Sequence, residues 1–294
     1  MTTDFALKKS TTVRTPPQIR AIRIAFAVLE RVTPRQGSRW ALRLWCTLPG
    51  NPGRRRDERP HDGRRSTVLL HGRAVAVETW GSGEPVYLMH GWDGWRGQLG
   101  RFVGPLAAAG VRVVALDAPG HGDSEPGGLG KGRGNGAEFA EALIAVAAVH
   151  GRPRAVIAHS FGCATTATAV RDGLGVRRLI FVAPGVDPLT YVRGLQAAFG
   201  FGRRTISEMI TRIEKLAGRP LADFDPRTMI TGQPPTLIIH DRQDKEVPYA
   251  EGEGLAAAWP AAELITTDGL GHQRILRDDD VVRRAVEFAA RRSV

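Results

Sequence analysis

Residues 154–164 read RAVIAHSFGCA. Arg154–Ala158 is a short run of apolar and β-branched residues, which predicts a buried strand. Gly162–Arg171 continues as an Ala- and Thr-rich helical stretch. Ser160 therefore stands on a sharp strand-to-helix turn. Such a turn exposes the hydroxyl and points the partial positive charge of a helix N-terminus at any anion forming there. It also demands small residues two positions either side, and Ala158 and Gly162 supply them.

Outward from this turn the pattern repeats. Val86–Met89, Val111–Leu116, Arg178–Ala183, Thr236–His240 and Glu263–Thr266 are further short apolar runs. Helical stretches lie between them, over roughly 98–109, 137–149, 250–259 and 279–291. Thr67–His71 and Ala74–Thr79 read as a hairpin around Gly72-Arg73. Alternation of this kind predicts an α/β domain, with a doubly wound, mostly parallel sheet covered on both faces. Ligands then bind beyond the carboxyl ends of the strands. His90, Asp117, Ser160, Asp187, Asp241 and Asp244 all fall there.

Residues 186–229 interrupt the alternation. They hold Leu189, Tyr191, Leu195, Phe199 and Phe201, then a helical run with Ile206, Met209, Ile210, Ile213 and Leu216 on one face. A small helical lid over the strand ends is the expectation.

Three further motifs frame Ser160. YLMHGWDG at 87–94 puts His90-Gly91 at a strand end, where the Trp92 N–H, with that of Phe161, would face a reacting carbonyl. LDAPGHGDS occupies 116–124. HDRQDKEVP at 240–248 and GLGHQR at 269–274 offer an acid and a histidine after the last two strands. With these motifs in serine, acid, histidine order, residues 67–294 resemble the α/β-hydrolase superfamily, specifically its serine esterase-like members with a small cap. The family's elbow has glycine where Ala158 stands, a departure that the next-smallest residue softens.

The resemblance implies Ser160 as nucleophile, His272 as general base and then acid, and Asp244 as the group that orients the imidazole. Asp241 and Asp187 compete for the acid role, but the D-x-x-V-P context of Asp244 matches the family. His159, Tyr191, Leu195 and Phe199 are the expected substrate contacts, and the lid's apolar residues suggest an apolar acyl or alcohol group. His90 and His121 read as residues that fix loops. The expected activity is hydrolysis of carboxylic esters through an acyl-enzyme. Perhydrolase, carbon–carbon hydrolase and acyltransferase chemistry would use the same residues, and a catalytically silent scaffold is a remote alternative. A carboxylate nucleophile, as dehalogenases and epoxide hydrolases need, is absent at Ser160. No Walker motif or HExxH spacing occurs, so neither a cofactor nor a metal is expected.

The 294 residues carry a net charge of +11, unevenly spread. Residues 1–65 hold 15 Lys and Arg against 5 Asp and Glu, and the rest is nearly balanced. The chain divides on this basis into a basic arm and linker, 1–66, and a catalytic domain, 67–294. The arm lacks the aromatic or zinc-finger patterns of nucleic-acid modules, so nucleic acid is not an expected partner. Within it, Ile19, Ile22, Phe26 and Leu29 share a helical face, and Trp40, Leu44 and Leu48 follow. These patches predict a helical hairpin packed on the body, with a peripheral membrane contact as the sharper alternative. Pro49–Ser66, rich in Pro, Gly and Arg, reads as a linker. Two distant cysteines, Cys46 and Cys163, fit a reducing, cytoplasmic compartment. The oligomeric state is not legible.

Overall fold

The computed structural model describes residues 16–50, 57–229 and 231–291. Eight strands form one sheet: β1 (Arg64–Leu70), β2 (Arg73–Trp80), β3 (Pro85–Met89), β4 (Arg112–Leu116), β5 (Ala155–His159), β6 (Arg178–Val182), β7 (Thr236–Asp241) and β8 (Ala262–Thr267). Their order is β1-β2-β4-β3-β5-β6-β7-β8. The first two pairings in that row are antiparallel and the others parallel. This is the doubly wound α/β architecture expected. The β1–β2 hairpin turns at His71 and Gly72, both with positive φ, as a two-residue turn between twisted strands requires.

Alternate side chains of the central strands feed two cores. Tyr87 and Met89 point to the face covered by α4 (Gly136–His150), α5 (Phe161–Arg171) and α8 (Tyr249–Ala258). Val86 and Leu88 point to the other, covered by α3 (Val103–Ala108) and α10 (Asp279–Ala290). All five residues of β3 and of β5 are buried, which is why these segments read as unbroken apolar runs.

Strand order reverses at β3: the chain leaves it for β4 on one side and later returns to β5 on the other. A crevice opens at such a switch point. Gly91 follows β3 and Ser160 follows β5, so both reach it.

A third core lies outside the sheet. The arm forms α1 (Pro17–Val32) and α2 (Pro34–Cys46), and the insertion forms α6 (Pro188–Phe199) and α7 (Arg203–Ala217). Phe26 is fully buried among Val192, Phe201, Met209 and Ile213 of the insertion. The predicted hairpin thus exists, but it packs chiefly on the two helices of the insertion. No helix among the described residues is long and apolar enough to cross a membrane.

The linker reading needs correction at its end. β1 starts at Arg64, and Arg59 donates to the buried Glu78 carboxylate at 2.9 and 3.0 Å. The Gly63 N–H joins the same carboxylate. A basic, glycine-rich segment reads as solvated until a buried acid elsewhere needs its charge.

Candidate functional site

Ser160 precedes α5 with φ +55° and ψ −127°, a strained conformation for a residue with a side chain. The surroundings enforce it. A Cβ on Gly162 would meet the His90 and Met89 carbonyls at 2.5 and 2.9 Å, so only glycine fits there. Ala158, where the family has glycine, is fully buried in β5 and paired with Met89 and Phe181.

The loop after β3 closes on the serine. A Cβ on Gly91 would lie 3.0 Å from that of Ser160. His90 sets this loop. The Ala118 N–H donates to its Nε2 at 2.9 Å, so its Nδ1 carries the proton and donates to the Gly91 carbonyl at 2.7 Å. Burial, helped by neighbouring His121, pushes the His90 pKa down to about 3 and keeps the ring neutral. His121 Nε2 hydrogen-bonds the Trp92 carbonyl. Trp92 is therefore gripped one residue past the close approach. The Phe161 N–H is the first amide of α5, one of the donors a helix leaves without an internal acceptor.

His272 sits in α9 (Gly271–Arg274), nearly buried. Its Nε2 is 2.9 Å from Ser160 Oγ, and its Nδ1 is 2.7 Å from Asp244 Oδ2. A carboxylate only accepts, so Nδ1 carries the proton and Nε2 is free to accept from the serine. The Asp244 side chain is fully buried. Its Oδ1 takes the Glu246 and Val247 amides at 2.8 and 2.9 Å. Burial alone would raise its pKa. His240 and His272 beside it and the Val247 amide outweigh that and hold the carboxyl well below its ordinary value. The His240 ring lies 3.3 Å from the same Oδ2.

The competing acids are occupied elsewhere. Asp241 accepts from the Gln243 amide, the Thr267 hydroxyl and the Leu270 amide, which ties the ends of β7 and β8 together. Asp187 caps α6 through the Leu189 amide.

The expected substrate contacts divide. Tyr191 reaches the serine region. Its ring meets that of Phe161 edge-on at 5.9 Å. Its buried hydroxyl has no hydrogen-bond partner. A Cβ on Gly185 would collide with this hydroxyl, so that glycine keeps its space open. His159, expected on the pocket wall, is instead 2% exposed and donates from Nε2 to the His272 carbonyl at 3.0 Å. It supports the histidine rather than offering a surface. Leu195 and Phe199 pack against the core that the insertion shares with α1 and α2, and Phe201 is fully buried within it. Their apolar character serves α1 and α2, a demand invisible to anyone reading the insertion by itself. Trp45, which sequence reasoning placed nowhere near the site, lies edge-on to Tyr191 at 6.3 Å.

The fold and these three joined side chains define a class: α/β proteins with a strained serine at a strand-to-helix elbow. The family model described as serine aminopeptidase, S33, matches residues 84–221, and that of a TAP-like protein matches 208–288. The chain belongs to the α/β-hydrolase superfamily, and the matches support a hydrolase. No curated protein matches the sequence. Among solved structures it is similar to an esterase from Exiguobacterium antarcticum, at 18% identity over 78% of this chain and 100% of that one, with a TM-score of 0.59. A Butyrivibrio proteoclasticus protein solved with ferulic acid bound gives 18% identity, 77% and 100% coverage, and a TM-score of 0.60. A meta-cleavage product hydrolase from Pseudomonas fluorescens gives 20%, 76% and 96%, and 0.54. At these identities the likeness is one of fold.

Proposed function

We propose that the protein hydrolyses carboxylic esters by a Ser-His-Asp mechanism. The observation that carries this reading is the unbroken hydrogen-bond chain from Ser160 Oγ through His272 to Asp244. As Ser160 attacks the acyl carbon, His272 Nε2 takes its proton, and the buried Asp244 carboxylate stabilises the imidazolium. The negative charge on the former carbonyl oxygen falls to the Trp92 and Phe161 amides. Collapse of this intermediate breaks the ester C–O bond, and His272 protonates the leaving alcohol. Water, activated by the same histidine, then releases the acid and restores Ser160. Tyr191 offers a hydrogen bond to a substrate oxygen within an aromatic surround.

The test is intact mass after exposure to a fluorophosphonate, with Ser160→Ala in parallel. A single adduct on the wild type and none on the variant is the expected result. Absence of the adduct from both proteins would remove the reading.

We also infer that α1 rests on an anionic lipid surface. Ile24, Val28 and Val32 are 65%, 53% and 75% exposed at helical spacing, and the exposed Arg20 and Arg31 share their side. Apolar residues bordered by arginines suit the boundary between acyl chains and acidic headgroups.

A further inference from the structure

We propose that the N-terminal hairpin is the second half of the active-site cap and that Trp45, at its end, limits the bulk of the group admitted to Ser160. This rests on the reading of Ser160 as nucleophile, and it adds a determinant that the matched family segments, which begin at residue 84, do not contain.

Three sets of contacts carry it. The first is apolar. Phe26 of α1 stacks on Trp40 of α2 at 4.6 Å and meets Phe201 of the insertion at 5.1 Å, so hairpin and insertion share one core.

The second is a polar clip on the turn between α6 and α7. Glu30 of α1 accepts from the Arg204 and Thr205 amides at 2.8 and 3.0 Å. Those amides open α7, whose own N-cap, Gly202, has no side chain to satisfy them. A Cβ on Gly202 would collide with the Glu30 carboxylate. At the other side of the turn, Arg23 donates to the Ala197 and Ala198 carbonyls, which close α6, at 2.8 and 3.0 Å. An acid on a helix start and a base on a helix end both match the helix dipoles. One helix of the arm therefore holds both lid helices by their facing ends.

The third set leads into the site. The end of α2 is tied to the loop before α4: the Gly134 N–H donates to the Cys46 carbonyl, and the Leu48 N–H to the Gly132 carbonyl, each at 2.9 Å. Trp45 is thereby fixed, with its ring against Tyr191, Tyr191 against Phe161, and Phe161 against Trp92 at 5.4 Å. This aromatic row runs from the arm to the residue beside the nucleophile. The indole of Trp45 is its outer end, where an acyl or alcohol group extending from Ser160 under the cap would stop.

The experiment compares Trp45→Ala with the full-length wild type on a small ester, phenyl acetate, and a bulky one, phenyl decanoate. The quantity read is the ratio of the two kcat/KM values, which is independent of the folded fraction. Removing the indole is expected to raise the bulky-to-small ratio by about tenfold or more, the size of effect that pocket volume exerts on specificity. An unchanged or lowered ratio would overturn the proposal. A second variant, Glu30→Gln with Arg23→Gln, releases the clip without touching the pocket. It is expected to accelerate labelling by a long-chain fluorophosphonate relative to a short one, and equal relative rates in variant and wild type would count against the clip. Labelling of wild-type Ser160 with neither effect would sink this inference alone, whereas no labelling of wild-type Ser160 would sink the esterase reading beneath it.

Discussion

Asp244 shows how surroundings distinguish one carboxylate from others of the same type. Asp241 and Asp187 were equally available by type, but Asp241 spends its oxygens on Gln243, Thr267 and Leu270, Asp187 caps α6, and Asp244 directs one oxygen at His272. Asp244→Asn is expected to lower kcat by about 10³–10⁴-fold, because an amide can hold the imidazole in the wrong tautomer. Asp241→Asn should leave most turnover intact in correctly folded protein, and steady-state kinetics on one soluble ester separates the two. The acid limb follows from the same environment. Asp244 titrates below its ordinary 3.8 in the folded state, so the folded protein binds fewer protons there than the unfolded chain. Its contribution to stability is present above that pH and lost as the pH falls through the lowered value. Acid unfolding of Asp244→Asn should accordingly lose less stability below about pH 4 than the wild type does. Tyr191→Phe removes only an unpaired hydroxyl, and a fall of roughly tenfold in kcat/KM with unchanged melting is expected if the substrate takes that hydrogen bond.

At the scale of elements, the loop carrying Trp92 is braced by charge. Arg96 is 2% exposed and donates to the fully buried Glu78 at 2.7 Å and to Asp123 at 2.7 Å, and it also pairs with fully buried Asp117. Removing Arg96 leaves the fully buried Asp117 without its cation and Glu78 with Arg59 alone. Arg96→Met is expected to cost about 3–5 kcal/mol, read by urea unfolding, and a cost below about 1 kcal/mol would contradict the buried network. Glu30 acts between elements, capping α7 from α1. Glu30→Gln should lower the melting temperature by about 2–4 °C, the scale of a lost helix cap. This contact shows why the arm's helices were legible and their partner was not. The periodicity of Ile22, Phe26 and Leu29 marks a buried face, but a period names no neighbour.

For the whole molecule, charge is distributed by architecture. Helices α1 and α2 share a core with the helical insertion, and α1 leaves Ile24, Val28 and Val32 exposed. Flotation with phosphatidylglycerol vesicles should recover the protein, phosphatidylcholine vesicles should not, and Ile24→Asp with Val28→Asp should abolish recovery. Equal recovery of wild type and variant would exclude this face as the contact.

The sequence by itself determined the sheet and the elbow. Short β-branched runs between helical stretches admit few other architectures, and the serine with the small residues Ala158 and Gly162 around it is legible because backbone geometry restricts which residues fit. It also ordered serine, acid and histidine along the chain, since each motif is local. Only the tertiary structure decided what those local signals could not carry. Asp244 was joined to His272 across 28 residues, and Ser160 to His272 across 112. His159 was turned under the histidine. The insertion's aromatics were divided, Tyr191 beside Phe161 and Phe201 in a separate core, once a hairpin some 170 residues earlier claimed Phe201. Apolar residues look alike whether they will meet a substrate or another helix, because the hydrophobic effect has no direction, and only the packed fold says which surface arrives.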